Sequence, residues 1–514
     1  MPLKQSTYDE LPYTSSVMPY AHPNRLATIA QLFGLPTASL EKCRILELGC
    51  ADASHLFATA YSLPNAECWG VDSNAEKIEQ AQPIAEGLGL KNVVLKNCDI
   101  LDVDDSFGMF DYIIAHGIYS WSSQAVQEKI IHICKHHLTE NGVAYVSYST
   151  KPGALLSDAV RDLLHYQVVG IPDGEIQKQQ LSAVLSLLAQ SGTEQDNAYG
   201  KFLAAEVEKF DELPDPAQFV QALTHEHTPV YFHEFMNSAA QEGLQYLGDA
   251  HFHTLFNYDL PESSVEMLKA FDNDLITKEQ YTDFLRNRHF RHTLLCHDNA
   301  QVSRQISPSR LDSLAVASSL QANADDPSRF SQALGSIKTE SVFVQMALRY
   351  IAERWARPVP IEEVVAAVAE ACNQAVSQVE GEIKSALLEF YSRNLIELHK
   401  QSPEITAQVS AKPRASLLAR WQAERTNQIT NLRHEVIFIE DALYLRLLPH
   451  VNGENDHDTL VKQLSSWLED GGIAIQAADG TNINQLSEVD THKVLHTVLE
   501  NALSLFAQAA LLEA

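Results

Sequence analysis

Small and acidic residues follow two short apolar runs near the start of the chain. The first run ends in Glu47-Leu-Gly-Cys-Ala51, and the second ends in Asp72-Ser73. In open α/β sheets ligands bind at the carboxyl ends of the strands, so both groups are expected to face one crevice. A small-residue turn lets the backbone approach a ligand, and a carboxylate accepts hydrogen bonds from ribose hydroxyls. Together the two groups indicate a site for a nucleoside.

The turn lacks the GxGxxG string that wraps a dinucleotide pyrophosphate. S-adenosylmethionine fits instead, because it has a nucleoside and a methionyl part but no pyrophosphate. We predict that the turn from Gly49 to Ala53 approaches the methionyl part, that Asp72 accepts from the ribose, and that Cys98-Asp-Ile100 contacts the adenine. Glu47 is expected to orient the turn through its backbone amides. The predicted cofactor-binding residues are Glu47, Gly49, Cys50, Ala51, Asp72, Ser73, Asp99, Ile100, Ala115 and His116.

Each of these pieces alone also fits an ordinary turn between a strand and a helix, with a solvated aspartate. Their order at successive strand ends favours the methyl donor.

The string Ala115-His-Gly-Ile-Tyr-Ser-Trp121 follows the fourth apolar run and is expected to wall the channel for the methyl acceptor. Methyl transfer is an in-line displacement, so the protein has to align the acceptor and exclude water. An amine acceptor must first lose a proton, which a nearby proton acceptor or an apolar pocket favours. The residues predicted to act on the acceptor are His116, Tyr119, Trp121, Tyr148 and Glu226.

Nucleic-acid bases and metal ions are both disfavoured as ligands. Enzymes that methylate a flipped base carry Asn or Asp, two prolines and an aromatic after this strand, and that string is absent. His225, Glu226 and His227 lack the HExxH spacing of a zinc site and are interpreted as part of a polar lid. No metal ion is predicted.

Five short β-rich runs position these residues. They alternate with helix-length segments such as Gln124 to His137, a pattern typical of a parallel sheet covered on both faces. The predicted fold class is therefore α/β, with a Rossmann-like, doubly wound methyltransferase sheet and a helical insertion. The runs are Arg44–Leu48, Cys68–Asp72, Val93–Leu95, Phe110–Ile114 and Val143–Tyr148.

The rest of the chain divides by composition and periodicity. A Ser-, Ala-, Asp- and Gln-rich stretch is predicted to be a linker, and three helical patterns followed by Leu395–His399 predict a winged helix. Glutamates crowd that module, which favours protein interaction over DNA. The predicted segments are a methyltransferase domain (1–300, with an N-terminal arm 1–42, a core 43–153, and a helical insertion with the last strands 154–300), a linker (301–339), a winged-helix-like domain (340–410) and a small α+β C-terminal domain (411–514).

Charge and cysteine content limit the partners and the compartment. Thirty-seven Lys and Arg against 67 Asp and Glu give a net charge of -30, which opposes binding to phosphate backbones. We expect Arg286, Arg288 and Arg291 to pair with acids of their own domain. No long apolar run or signal sequence is visible, and the seven cysteines form no CxxC pair. We therefore expect a cytoplasmic protein that binds neither nucleic acid nor membrane.

Longer strings between Tyr8 and Cys296 are more specific than the turn. They are Tyr8-Asp-Glu-Leu-Pro-Tyr13, His22-Pro23, Leu32-Phe-Gly-Leu35, His116-Gly-Ile-Tyr-Ser-Trp121, Val146-Ser-Tyr148, Pro152-Gly153, Tyr231-Phe-His-Glu-Phe235, Gly243-Leu-Gln-Tyr-Leu-Gly248, Gln280–Arg288 and Thr293-Leu-Leu-Cys296. In these strings the sequence resembles the class I methyltransferases that carry a methyltransferase regulatory domain, a family that includes bacterial protein-lysine methyltransferases. The resemblance adds Tyr13 to the expected cofactor contacts and implies a protein substrate.

Three departures from the family pattern leave other functions open. Ala53 stands where the family commonly has glycine, and a positive φ there would cost about 1 kcal/mol. Ala51 stands where the family often has glycine or alanine. Ser147-Tyr-Ser-Thr-Lys-Pro-Gly-Ala154 replaces the family's Ser-Tyr-Asn-Thr-Tyr-Pro-Gly-Trp. N-methylation of a protein lysine is the leading prediction. The alternatives are a small-molecule methyltransferase and a catalytically degenerate scaffold that binds S-adenosylmethionine.

Overall fold

A seven-stranded mixed sheet is the centre of the N-terminal half. The computed structural model describes residues 17–168, 171, 174–195, 198–211, 227–333, 335–470 and 488–514. The strands are β1 (Arg44–Leu48), β2 (Glu67–Asp72), β3 (Val93–Asn97), β4 (Phe110–Ala115), β5 (Leu138–Ser149), β6 (Leu244–Asp249) and β7 (Phe290–His297). Their order across the sheet is β3-β2-β1-β4-β5-β7-β6. The predicted fold class is confirmed.

The direction of the strands brings the predicted cofactor residues to one edge. Strands β1 to β5 pair in parallel, with Leu48 opposite Val71 and Asp72 opposite Asn97. The residues that follow these strands therefore meet at a common edge. Strand β7 lies between β5 and β6 and runs antiparallel to both, so β6 is the outer strand on that side of the sheet.

Helices cover the sheet and extend one side of it. The helices that alternate with the first five strands are α1 (Pro23–Leu32), α2 (Ser54–Ser62), α3 (Ala75–Gly87) and α4 (Gln124–His136). The segment predicted to be a helical insertion contains α5 (Gly153–Val168), α6 (Gly174–Gln195) and α7 (Ala198–Asp211). A small core of its own joins these three, formed by Val160, Leu164, Leu181, Leu185 and Leu203.

Ion pairs, several of them buried, hold the last strands against their helices. These helices are α8 (Phe232–Gln241), α9 (Glu262–Leu268) and α10 (Leu275–Arg286). Arg291 is fully buried on β7, and two of its nitrogens donate to Asp283 at 2.8 Å. Glu279 accepts from the same guanidinium at 3.0 Å. Arg288 pairs with Asp249, and Arg286 pairs with Asp259. The prediction that these arginines pair within their own domain is confirmed.

Residues 301–339 are not the linker that their composition suggests. They contain β8 (Ala315–Ala317), β9 (Gln321–Ala322), β10 (Arg329–Gln332) and β11 (Gly335–Lys338). Strand β8 is buried and pairs with β12 (Val359–Pro360) and β13 (Glu397–His399). A three-residue apolar run is enough for a strand when it pairs with a strand on each side. The average composition of residues 301–339 does not reveal such a short run.

The C-terminal half contains two helical units. The first has α11 (Val342–Ala352), α12 (Ile361–Ala371) and α13 (Val376–Ser392), followed by β13, as the periodicity predicts. The second has α14 (Leu417–Ala423), β14 (Gln428–Thr430), β15 (Val436–Phe438), α15 (Ala442–Leu447), α16 (His457–Glu469) and α17 (Glu488–Gln508). Among the described residues, no helix has the length and apolar content needed to span a bilayer.

Candidate cofactor and acceptor site

The turn after β1 has the tight backbone that the sequence predicts. Gly49 has a φ of +69°, and a Cβ added to it would lie 2.7 Å from Cγ2 of Ile118. The amides of Gly49 and Cys50 both donate to the carbonyl of Val71, at 2.9 and 3.0 Å. The end of β2 thus fixes the turn, and the absence of a side chain at Gly49 lets Ile118, in the loop after β4, pack closely against it.

Two alanines in this turn adopt left-handed backbone conformations. Ala51 has a φ of 49°, and Ala53 has a φ of 60° where helix α2 begins. This conformation costs an L-residue with a Cβ about 1–2 kcal/mol. The strain anticipated at Ala53 is therefore present, and Ala51 shares it.

Replacing Ala53 with glycine is expected to raise the free energy of unfolding by about 1 kcal/mol, because glycine adopts this φ without strain. Urea unfolding followed by the near-ultraviolet spectrum would measure the change. Ala58 lies within the same helix, so Ala58→Gly is a matched control that should destabilise by about 1 kcal/mol. A loss of stability in both variants would contradict the strain.

Two carboxyl groups, Asp72 and Glu47, were predicted to contact the cofactor, and their hydrogen bonds to the turn differ from the prediction. Asp72 accepts from the amides of Ala51 at 2.8 Å and Asn74 at 2.9 Å. Glu47 makes no hydrogen bond to the turn, so the expectation that it orients the turn amides is wrong. Asp72 and the carbonyl of Val71 hold those amides instead.

Glu47 is a buried carboxyl group with an unpaired oxygen. It is 5% exposed, and its Oε2 has no hydrogen-bond partner among the described residues. Burial, reinforced by Asp52 and Asp72, raises the pKa of Glu47 well above its usual range. Buried polar atoms are normally paired, so this orphaned oxygen fits a crevice that holds a polar cofactor.

The other predicted cofactor residues lie at the same edge. Asp99 follows β3 and accepts from the amide of Leu101 at 2.8 Å, and Ile100 beside it is half-buried. Ser73 is exposed directly after β2, and Ala115 is the buried end of β4. Two predicted residues, Tyr13 and Glu226, lie outside the described residues.

His116 begins a polar chain that runs across the sheet. Its Nδ1 lies 2.9 Å from the hydroxyl of Tyr145, which lies 2.6 Å from Nδ1 of His292. Ser147 Oγ is 3.1 Å from the same His116 nitrogen and accepts from the Gly117 amide at 2.8 Å. Burial lowers the pKa of His116 to about 4, with a smaller contribution from His292. The imidazole is therefore neutral near pH 7 and can take part in hydrogen bonds without carrying a charge.

Tyr119 and Tyr148 lie in the core and do not wall the channel as predicted. Tyr148 is 1% exposed, its ring stacks on Phe235 at 4.3 Å, and its hydroxyl lies 2.9 Å from Thr293 Oγ1. Tyr119 is 4% exposed and packs edge-on against Phe235 at 5.2 Å. Side chains alternate along a strand, so Tyr145 and Ser147 take the face of His116, and Tyr148 takes the opposite one.

Three family models match successive parts of the chain. A methyltransferase domain matches residues 39–192, the predicted methyltransferase regulatory domain matches 220–297, and the PKMT C-terminal winged helix domain matches 411–511. An uncharacterized protein of Rickettsia prowazekii is 30% identical over 98% of this chain and 93% of its own length. The chain belongs to the methyltransferases that carry this regulatory domain. It is an S-adenosylmethionine-dependent methyltransferase.

Solved structures extend this likeness to the whole methyltransferase. PKMT2 from Rickettsia typhi in complex with AdoHcy is 27% identical, with a TM-score of 0.88 over 98% of this chain and all of that one. A second structure of PKMT2 is 26% identical, with a TM-score of 0.87. The domain arrangement is therefore shared from end to end.

The winged-helix model falls one segment later than the sequence analysis places that module. It matches 411–511, predicted as the α+β domain, and not 340–410. Three helices followed by a strand are present in 340–410, but β13 pairs with β8 and so belongs to a sheet that begins before α11. Local helix order could not reveal that long-range pairing.

The methyltransferase carries a second polar chain, which the sequence analysis missed except for one histidine. His227 Nδ1 lies 2.7 Å from Asp158 Oδ1, and its Nε2 lies 2.8 Å from Ser149 Oγ. The ring of His227 is 4.4 Å from that of Trp121, which has Arg161 over it at 4.8 Å. Trp121 thus lies beside a histidine that is paired with a carboxylate.

Substitutions of the two core tyrosines should affect stability more than methyl transfer. Tyr119→Ala is expected to destabilise the protein by about 3–5 kcal/mol because it leaves a cavity. Tyr148→Phe removes one hydrogen bond, worth about 1 kcal/mol, and should leave methyl transfer within a few fold. Thermal unfolding and initial rates well below the midpoint would measure both. If Tyr148→Phe lost methyl transfer without loss of stability, Tyr148 would belong to the channel after all.

Proposed function

We propose that this methyltransferase N-methylates lysine side chains of a protein. The observation that carries the proposal is the Asp158–His227–Ser149 chain next to Trp121, because an ammonium acceptor needs a group that takes its proton. The likeness to PKMT2, a name that denotes a protein-lysine methyltransferase, supports the same substrate class.

The residues at the strand ends fit the methyl donor. We propose that Asp72 accepts from its ribose, that Gly49 to Ala51 approach its methionyl part, and that the donor supplies a hydrogen-bond partner for the orphaned Oε2 of Glu47. When bound, the cofactor supplies an electrophilic methyl group on a sulfonium. Asp99 and Ile100 complete the nucleoside contacts at the end of β3.

The polar chain can move the proton that the acceptor loses. A carboxylate only accepts hydrogen bonds, so Asp158 assigns the proton of His227 to Nδ1 and leaves Nε2 to accept from the Ser149 hydroxyl. As the ammonium N–H bond breaks, Ser149 Oγ takes that proton while its own proton passes to His227 Nε2. Asp158 then faces an imidazolium, which it stabilises. The amine is left neutral, with a free lone pair.

Charge and thiol chemistry support the partner and the compartment. The net charge of -30 attracts a lysine-rich protein at a distance and opposes nucleic acid. All seven cysteines are free, which suits a reducing compartment, and we propose the cytoplasm as the site of action.

Transfer from radiolabelled S-adenosylmethionine tests the proposal. The full chain is incubated with a lysate of its own cell and, separately, with a lysine-rich model protein. We expect label in protein bands that survives base and appears as N-methyl-lysine after total acid hydrolysis.

Two controls make the result decisive. The model protein with its lysines acetylated should take no label, because the amine lone pair is no longer available. Base-labile label would indicate carboxyl esters, and label confined to small molecules would indicate a small-molecule methyltransferase. Either outcome would overturn the proposal.

A further inference from the structure

Two histidines and a glutamate form a cluster outside the cofactor and acceptor site. His132 and His136 are one turn apart on helix α4, and Glu242 directly follows helix α8. Their ligand atoms all lie within 4.8 Å of one another. The three side chains are 40–52% exposed, so an ion could reach them from solvent.

The spacing of these atoms suits a tetrahedral ion. His132 Nδ1 is 3.4 Å from Glu242 Oε2, and His136 Nε2 is 3.9 Å from the same oxygen. Zn²⁺ binds imidazole nitrogen and carboxylate oxygen at about 2.0–2.1 Å, so tetrahedral geometry places its ligands about 3.4 Å apart. Only small side-chain movements separate the cluster from that arrangement.

We propose that His132, His136 and Glu242 bind a divalent transition-metal ion such as Zn²⁺. The two histidines and the carboxylate supply three ligands, and water supplies the fourth, since no further protein ligand is needed in an open site. The ion would link the methyltransferase domain, which contains α4, to the regulatory domain, which contains Glu242.

The backbone around the cluster is already held in place. Lys135, between the two histidines, donates to the carbonyl of Gly243 at 2.9 Å, and that carbonyl also accepts from the amide of Asp298. The carboxylate of Asp298 lies 3.8 Å from the Lys135 ammonium and offsets its charge. The residue after Glu242 is therefore tied to the helix that carries the histidines, so little backbone ordering opposes binding of the ion.

Metal titration of the full chain without a polyhistidine tag tests the site. Protein freed of metal by a chelator is titrated with Zn²⁺ by calorimetry and with Co²⁺ by absorption spectroscopy, which reports tetrahedral coordination. We expect one saturable site and a rise in the thermal unfolding midpoint on binding, because the ion binds the folded state.

Single substitutions locate the site. His136→Ala and Glu242→Gln should each weaken metal binding at least about tenfold and should remove the thermal shift. Loss of a residue that only hydrogen-bonds a metal ligand already costs about tenfold, so loss of a ligand should cost at least as much. His492 and His496 on α17 have the same spacing, with ring centroids 4.7 Å apart, but belong to no three-ligand group among the described residues. His496→Ala is therefore the matched control and should change neither readout.

Three results would overturn the site: no saturable binding by the wild type, undiminished binding by His136→Ala and Glu242→Gln, or an equal loss in His496→Ala. Because His136 and Glu242 are exposed and His496 is only partly buried, each variant is expected to fold, and circular dichroism before titration verifies this. Binding is measured without methyl donor or acceptor, so the outcome does not depend on the proposed substrate.

Discussion

Asp72→Ala is expected to lower the affinity for S-adenosylmethionine at least about tenfold, since each lost charge-assisted hydrogen bond is worth roughly 1.5–3 kcal/mol. The carboxylate has two tasks in this structure. It accepts from the amides of Ala51 and Asn74, and we propose that it also accepts from the ribose. Removing it therefore releases a turn that already holds Ala51 in a left-handed conformation. Calorimetric titration with donor and demethylated product measures the loss.

Two further variants separate charge from geometry. Asp104 is an exposed acid of the same domain, so Asp104→Ala changes the net charge equally and should bind the donor as the wild type does. Asp72→Asn keeps an oxygen that can accept from the Ala51 amide, and its affinity should fall between those of the wild type and Asp72→Ala. Equal affinity in Asp72→Ala and the wild type would contradict the assignment.

His227→Gln is expected to slow methyl transfer to a protein amine by about 10²–10⁴ and to leave donor affinity within a few fold, because it removes the proposed proton acceptor. Asp158→Asn should slow transfer less, since the imidazole remains but loses the carboxylate that fixes its tautomer. Single-turnover rates with donor and a lysine-rich protein measure both.

The pH dependence distinguishes proton transfer from mere support of the fold. Free lysine has a pKa of about 10.4, so as the pH rises toward this value more of the acceptor arrives neutral by itself. The rate deficit of His227→Gln should therefore shrink as pH rises. A deficit that stays constant with pH would refute the proton-acceptor role. His297→Gln is the matched control, because the hydrogen bond between His297 Nε2 and the carbonyl of Leu138 lies at the opposite ends of the strands.

The strands and their cofactor edge could be read from local patterns. Each apolar run between Arg44 and Tyr148 coincides with an observed strand, because a buried parallel strand needs a continuous apolar stretch. The acids that follow such runs necessarily share an edge when the strands are parallel, so Asp72 and Asp99 could be placed before any contact was known. The alanine at position 53, where the family commonly has glycine, likewise predicted the backbone strain that its positive φ shows.

Local sequence patterns could not predict which side chains face the proposed acceptor site. Whether Tyr148 faces the channel or the core depends on the phase of β5, and a shift of one residue reverses it. The hydrogen bonds of Glu47 could not be predicted either, because the Val71 carbonyl and Asp72 accept from the turn amides that Glu47 was expected to hold.

The sequence by itself determined the first five strands of the sheet and the family, and it predicted the methyl-donor edge, because strand patterns and motifs consist of residues that are close along the chain. Only the tertiary structure decided which side chains meet around His227. Asp158 and His227 are 69 positions apart, and Ser149 and His227 are 78 apart. Glu242 reaches the histidines of α4 in the same way. Such contacts arise when the packed sheet and helices bring distant segments together, so they cannot be predicted from the spacing of residues along the chain.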